Sequence, residues 1–182
     1  MKKKNLLTKN NIQKKYLNNT FVKKYNNEYK KIISEINLEI NDPKKTLNVL
    51  DNNYKFNFKI KDIQRFKSFN NIAIIGMGGS ILGTEAINNF LLKKIKKKIH
   101  FFNNLEPQKI FNFKKNNNLD KVLFLIISKS GNTTETLSNF FSKNILKKNS
   151  KNIIIISEKK NNFLFSLSKK FNLFHVEHKS NI

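Results

Sequence analysis

The sequence predicts an α/β fold, a doubly wound parallel five-stranded sheet flanked by helices and preceded by a helical N-terminal segment. The chain has 182 residues, of which 38% are hydrophobic, enough for about one domain with its own core. Beyond residue 70, short apolar runs alternate with segments of helical length. Such alternation is typical of parallel sheets whose strands are joined by right-handed crossovers.

We assign residues 1–69 to the helical N-terminal segment, which contains no glycine. Its apolar residues recur in steps of three and four, and they are Phe21, Tyr25, Tyr29, Ile32, Ile33, Ile36 and Ile40. This spacing predicts one helix that ends at Asp42-Pro43, with the apolar stripe packed on another surface. Residues 54–60 alternate apolar and polar side chains. They leave a strand and an extended linker as equal alternatives.

Residues 70–182 form the second predicted domain. Its strands are short β-branched or aromatic runs, apolar on both faces as in a sheet buried under helices. The five runs are 72–75, 99–102, 122–127, 153–156 and 173–176. The helices predicted between them are 81–92, 108–115, 133–146 and 163–171. In such sheets ligands bind outside the carboxyl ends of the strands, so the loops there are the places to search for a site.

The loop after the first predicted strand is rich in glycine. Residues 76–83 read Gly-Met-Gly-Gly-Ser-Ile-Leu-Gly and hold four of the five glycines of the chain. Glycine permits positive φ and close approach of backbone N–H groups, and the helix that follows attracts an anion. The spacing does not fit a dinucleotide fingerprint, because Ile81 stands where the third glycine belongs, and there is no Walker lysine. A purely structural turn remains an alternative.

The loop after the third predicted strand is rich in hydroxyls. Residues 128–136 read Ser-Lys-Ser-Gly-Asn-Thr-Thr-Glu-Thr. Small hydroxyls and free N–H groups can cradle a phosphate without a metal or a nucleotide-base pocket. Asn132 and Glu135 fit a helix capping box, which would account for one or two of these polar residues. Ser128, Ser130 and Thr133 are left unexplained by capping, and the loop therefore predicts an anion site.

Together the two loops resemble the glucose-6-phosphate isomerase family of the sugar isomerase (SIS) domain superfamily. In that family Gly-x-Gly-Gly-Ser-x-Leu-Gly follows the first strand and Ser-Lys-(Ser/Thr)-x-x-Thr-x-Glu follows the third. The resemblance covers about 70–182, an SIS-type sugar-phosphate-binding domain. The residues that it implies for binding the phosphate or lining its site are Gly79, Ser80, Ser128, Lys129, Ser130 and Thr133.

The resemblance also implies an activity, the interconversion of glucose 6-phosphate and fructose 6-phosphate by acid–base chemistry through an enediol. It implies no cofactor and no metal, and a homodimer for the full-length protein. The family's Gly-Gly-Arg arginine, glutamate base, ring-opening histidine and late lysine, with a second SIS domain, would lie beyond Ile182. We therefore expect an N-terminal fragment or a truncated reading frame that carries the phosphate-binding half and no catalytic residue.

Several residues of the chain offer weaker signals of chemistry. His175, Glu177 and His178 are close in sequence at the end of the fifth predicted strand, but His178 would point away from the other two. We interpret all three as strand-end residues and His100 as a packed residue of the second strand. Other open functions are a phosphoglucose/phosphomannose-type isomerase and a module that senses a phosphosugar, with nucleic acid as its possible partner.

The charge of the chain is strongly positive, with 36 Lys and Arg against 12 Asp and Glu, a net +24. Arg65 is the only arginine, whereas nucleic-acid readers favour arginine for phosphates and guanines. Lys, Asn, Ile and Phe are abundant together, and their codons are AT-rich. We interpret the basicity as compositional drift and expect no specific nucleic-acid partner. The lack of cysteine and of an apolar run of about 20 residues predicts a cytoplasmic protein without membrane contact.

Overall fold

The computed structural model describes residues 18–181. By their internal contacts these residues form two compact units, one up to Tyr54 together with Asn181, and one over residues 55–180. In the first unit, helix α1 spans Asn19–Asn41 as predicted, and the Asn18 side chain accepts a hydrogen bond from the Thr20 N–H at its start. A 3-10 helix over Thr46–Leu50 follows.

The apolar stripe of α1 is largely exposed, contrary to the expectation that it is packed. Tyr25 and Tyr29 are 58% and 64% exposed, and Phe21 is similar. Ile36 and Ile40, nearer the 3-10 helix, are half-buried. Within the described residues, only the C-terminal end of this stripe is therefore shielded from solvent.

The second unit contains a five-stranded sheet that confirms the predicted class. Its strands are β1 (Asn71–Ile75), β2 (Lys98–Phe102), β3 (Val122–Ile127), β4 (Ile153–Ser157) and β5 (Phe174–Glu177). All neighbours are parallel, in the order β2-β1-β3-β4-β5. Ile75 pairs with Phe102 on one side and Ile126 on the other, which fixes the register of β1 with the edge strand β2 and with β3.

The helices of this unit are α2 (Ile60–Gln64), α3 (Gly79–Phe90), α4 (Pro107–Asn116), α5 (Thr134–Phe141) and α6 (Phe163–Phe171). A 3-10 turn covers Leu119–Lys121. Helix α5 ends well before residue 146, where the sequence pattern predicts its end. A turn follows over residues 142–144, where Asn144 takes φ 51°, and Ile145 then enters the core.

The core lies on both faces of the sheet. The larger cluster includes Ile75, Phe124 and Ile155, and α4, α5 and α6 contribute side chains to it. On the other face Phe66, 6% exposed, packs with Leu123 of the sheet. Residues shortly before position 70 thus cover part of the sheet, and the proposed domain boundary between 69 and 70 remains a prediction.

Candidate functional site

The strand order places two loops side by side at the carboxyl edge of the sheet. From β1 the chain crosses to β2 on one side and then to β3 on the other, so the direction of winding reverses between β1 and β3. Ligands of doubly wound sheets bind in the crevice at such a reversal. Gly76 follows β1 and lies so close to β3 that a Cβ on it would be 3.0 Å from the Ile127 carbonyl oxygen. The glycine-rich and hydroxyl-rich loops are therefore neighbours.

The glycine-rich loop needs its special backbone at Gly78 and not at Gly79. Gly78 has φ 51° and is the N-cap of α3, whereas Gly79 has no positive φ. A Cβ at Gly79 would contact nothing within 4 Å. The absence of a side chain at Gly79 therefore leaves open space in front of the first turn of α3, where a ligand can approach the backbone.

The hydroxyl-rich loop is held together by hydrogen bonds to the buried Ser128. This serine is 2% exposed, and its Oγ is 2.9 Å from Thr133 Oγ1, so the two hydroxyls share a hydrogen bond. The Gly131 N–H donates to the same Oγ at 3.2 Å. Ser128 thus holds the loop in shape from beneath. Lys129 and Ser130 are exposed and Thr133 is half-buried, so their side chains are more accessible to a ligand.

Both helices that begin at this crevice lack a side-chain cap. The N-cap of α3 is Gly78, which has no side chain, and the N-cap of α5 is Thr133, whose side chain accepts no hydrogen bond from the first turn. Helices α1 and α6 are capped by Asn18 and Asn162. Helix α4 is also uncapped, but it begins with Pro107, which has no N–H. The positive ends of α3 and α5 therefore lie at the crevice without a side-chain cap, and in α3 the Ser80 and Ile81 N–H groups donate to the Met77 and Gly78 carbonyls at 3.1 Å.

The asparagine of the expected capping box has another role. Asn132 Oδ1 accepts a hydrogen bond of 2.8 Å from the Phe163 N–H at the start of α6. The Gly131 carbonyl accepts another from the Leu164 N–H at 3.1 Å. The loop is thus fixed to α6, a contact between segments far apart in sequence that the local pattern did not predict.

Asn162 completes this support of the hydroxyl-rich loop. It is 6% exposed, its Oδ1 accepts from the Phe165 N–H at 2.9 Å, and its Nδ2 donates to the Glu158 carbonyl at 2.8 Å. Gly131 has φ 69°, and a Cβ there would collide with the Asn162 amide. The glycine is therefore needed both for its φ and for the close approach of Asn162. An asparagine directly before an apolar helical run is the sequence signal for this cap.

His175 and His100 are half-buried in the fold and make no hydrogen bond to either loop, while His178 Nδ1 is 2.9 Å from the Lys179 carbonyl oxygen. His175 Nε2 is 3.0 Å from Ser157 Oγ, and burial lowers the pKa of His175 although Glu177 partly opposes this. The His100 ring packs edge-on against Phe113 with centroids 4.8 Å apart, and burial lowers its pKa too. Among residues 18–181 there is no group of three or more His, Cys, Asp or Glu side chains suited to a metal ion.

The crevice thus combines a doubly wound α/β sheet, two helix starts without a side-chain cap and a hydroxyl-rich loop at the winding reversal. The sequence model described as "PGI: Phosphoglucose isomerase" matches residues 26–173. The chain therefore belongs to the phosphoglucose isomerase family.

Curated relatives agree with this assignment. The chain is 35% identical over 177 residues to a "Probable glucose-6-phosphate isomerase" of Methanococcus maripaludis, a match that covers 91% of this chain and 40% of the relative. It is 41% identical over 95 residues to the "Glucose-6-phosphate isomerase" of Methanocaldococcus jannaschii, covering 50% of this chain and 23% of the relative. The chain thus spans well under half the length of these relatives.

Solved structures support the fold. A hypothetical protein from Thermus thermophilus superposes with a TM-score of 0.71 at 17% identity, covering 90% of this chain and 41% of that one. A glucose-6-phosphate isomerase from Chlamydia trachomatis gives a TM-score of 0.55 at 21% identity, covering 65% of this chain and 24% of that one. No helix within residues 18–181 is long and apolar enough to span a membrane.

Proposed function

We propose that this chain binds the phosphate of glucose 6-phosphate and fructose 6-phosphate and supplies the phosphate-binding half of their isomerisation. The observation that carries the proposal is the pair of uncapped helix starts, α3 and α5, beside the hydrogen-bonded hydroxyls of Ser128 and Thr133. A phosphate dianion matches the positive helix ends and accepts hydrogen bonds from N–H and O–H groups. Membership of the phosphoglucose isomerase family supports the choice of sugar phosphate.

The six predicted residues divide into three roles under this proposal. Gly79 leaves room for the anion at the start of α3. Ser80, Lys129, Ser130 and Thr133 donate hydrogen bonds or positive charge from half-buried or exposed positions. Ser128 is buried and acts mainly by holding Thr133 and the Gly131 N–H in place. Each hydrogen bond to the charged phosphate is worth about 1.5–3 kcal/mol.

The contribution to catalysis is positioning. Isomerisation moves a proton between the first two carbons of the sugar through an enediol, and this requires a general base. A phosphate held at the far end of the sugar fixes the reacting carbons relative to that base, and its binding energy lowers the barrier. We propose that the base belongs to a part of the enzyme outside these 182 residues. This chain alone then binds the sugar phosphate without turnover. We further propose that the complete protein is a cytoplasmic homodimer.

The first experiment separates binding from catalysis. The purified chain is titrated calorimetrically with fructose 6-phosphate, glucose 6-phosphate and mannose 6-phosphate, and its isomerase activity is followed in a coupled assay. We expect saturable binding of the phosphosugars, weaker binding of fructose, and no turnover in the ordinary enzyme range of about 1–1,000 per second. Turnover in that range would contradict the assignment of the base to another part of the enzyme. Equal binding of fructose would contradict the phosphate site.

The second experiment tests the hydroxyls. Replacing Ser128 and Thr133 together with alanine should weaken phosphosugar binding at least about tenfold, because a direct donor and the residue that positions it are both lost. Ser138→Ala removes an exposed hydroxyl from α5, the helix that begins after Thr133, and is the control, with unchanged affinity expected. Circular dichroism checks that each variant is folded. Unchanged affinity in the folded double variant would mean that these hydroxyls only shape the loop.

A further inference from the structure

Strand β2 forms the open edge of the sheet in the described part of the chain, with β1 as its one neighbouring strand. The Lys98 N–H donates to the Asn70 carbonyl at 2.9 Å, and the Phe102 carbonyl accepts from the Gly76 N–H at 3.3 Å. Both of these groups of β2 therefore point toward β1. Backbone groups alternate in direction along a strand, so the N–H and C=O groups of Ile99 and Phe101 point outward.

A groove with a volume of about 460 Å³ runs along this edge. All of β2, Lys98–Phe102, lines it. Side chains of successive strand residues lie on opposite faces, so a cavity shared by every residue of the strand lies along its outer edge. Helix α4 contributes Lys109 and Asn112 to the lining, and α3 contributes Glu85. The outward backbone groups of β2 are thus accessible inside a walled groove.

We propose that this groove binds an extended acidic segment of a partner protein, which adds as a strand to β2. Main-chain hydrogen bonds to Ile99 and Phe101 would supply affinity, as in other cases of strand addition. Lys98 and Lys109 give the lining two positive charges, against one lining carboxylate, Glu85, and Lys109 is also paired with Glu106 at 3.4 Å. Glu85 is itself within 3.4 Å of the Asn103 amide. The charge of the lining therefore favours acidic side chains on the added strand.

The same charges disfavour a second copy of this chain as the occupant. Two copies that met edge to edge at β2 would bring together their lysines, since Lys96, Lys97 and Lys98 lead into this strand and each chain carries a net +24. Lysine on an edge strand is a common means of preventing such association. A partner with acidic side chains meets the same lysines with a favourable interaction.

The pleat of β2 sets the pattern of the added strand. On the face of α4, alternate side chains would lie beside Lys98 and His100, and there acidic residues fit best. On the opposite face, the intervening side chains would lie beside Ile99 and Phe101, and there apolar residues fit. The expected motif is acidic and apolar in strict alternation.

The test begins with peptides and the whole 182-residue chain. Fluorescence anisotropy with labelled Glu-Val-Glu-Val-Glu-Val at physiological salt should show saturable binding. The same peptide with alternate backbone nitrogens methylated keeps its charge but loses its pairing N–H groups, and it should bind at least about tenfold more weakly. The isomeric Glu-Glu-Glu-Val-Val-Val should also be weaker. Equal affinity for the methylated peptide would overturn strand addition, because charge alone would then explain the binding.

Variants of the protein test the same groove from its own side. Phe101→Pro removes an outward N–H without removing a hydrogen bond to β1, and proline is tolerated on strand edges. We expect about tenfold weaker peptide binding and a retained fold. Lys98→Glu should weaken binding more than Lys151→Glu, which makes the same change of charge at an exposed site outside the groove lining. Equal effects of the two charge reversals would overturn the proposal, whether or not the proline variant folds. Sedimentation tests the other occupant. If the chain forms a dimer that Phe101→Pro dissociates, the groove binds a second copy of the chain and the proposal is overturned.

Discussion

At the residue scale, Lys143 is a charged side chain in unfavourable surroundings. It is fully buried, and its Nζ has no hydrogen-bond partner in the described part of the chain. The ammonium lies 3.5 Å from the centroid of the Phe102 ring, a cation–π contact worth about 2 kcal/mol when desolvated. Burial, with smaller contributions from Lys114 and Lys109, nevertheless lowers the pKa of Lys143 from 10.5 to about 8. Desolvation is the largest cause of this lowered pKa.

This lysine gives the stability of the chain a defined pH dependence. Between about pH 8 and 10.5 the unfolded state binds more protons than the folded state, so the free energy of unfolding should rise with pH across that window. Lys143→Met keeps the length of the side chain and should stabilise the protein at pH 7 by about 1–3 kcal/mol, the usual cost of an unsatisfied buried donor. Urea unfolding from pH 7 to 10.5 measures both effects. The exposed control Lys115→Met should leave the profile unchanged, and parallel profiles for wild type and Lys143→Met would contradict the assignment.

At the element scale, the start of α6 holds the hydroxyl-rich loop, so Asn162 is expected to position the proposed phosphate site without touching the ligand. Asn162→Ala should cost about 1 kcal/mol for the lost helix cap and should weaken fructose 6-phosphate binding several-fold. Asn118→Ala removes the cap of the Leu119–Lys121 turn, where Asn118 accepts from the Asp120 N–H at 3.1 Å. It should lower stability but leave binding unchanged.

Hydrogen exchange distinguishes two ways in which this prediction could fail: Asn162 does not hold the loop, or the loop does not bind phosphate. In Asn162→Ala the amides of residues 131 and 132 should exchange faster, even without a ligand. Normal exchange would show that Asn162 does not hold the loop. Faster exchange with unchanged phosphosugar affinity would show that the loop is not the binding element.

The bounds of a helix or strand were predictable from the sequence where the local residue pattern determines them. They were less predictable where contacts between distant segments determine them. The bounds of β3 and α6 follow from a continuous apolar run and from an asparagine cap before a helical run. The end of α5 was not predictable from spacing, because Ile145 and Leu146 continue the helical pattern while Asn144 leaves it. The adjacency of the two loops follows from the order of parallel strands, but the support from α6 depends on contacts distant in sequence.

At the scale of the whole molecule, the dominant feature is the charge of +24. The described residues contain three side-chain ion pairs, all with at least one well-exposed partner, so most of the lysine charge is not matched locally. The single arginine is engaged in packing: the guanidinium of Arg65 lies 4.5 Å from the Phe174 ring centroid and 4.8 Å from that of Phe66. The side chain best suited to read bases is thus stacked on the core of its own fold.

This distribution of charge predicts weak, sequence-blind attraction to nucleic acid. Binding to DNA or RNA should fall steeply between about 50 and 200 mM salt, because release of counterions from phosphates is its main driving force. Gel shifts at rising salt, with unrelated duplexes and single strands, measure both the slope and the selectivity. Arg65→Lys keeps the charge and should leave the affinity for nucleic acid at each salt concentration unchanged. Tight binding at physiological salt that discriminates between sequences would require base contacts in addition to phosphate contacts, and it would contradict the view of the lysines as compositional drift.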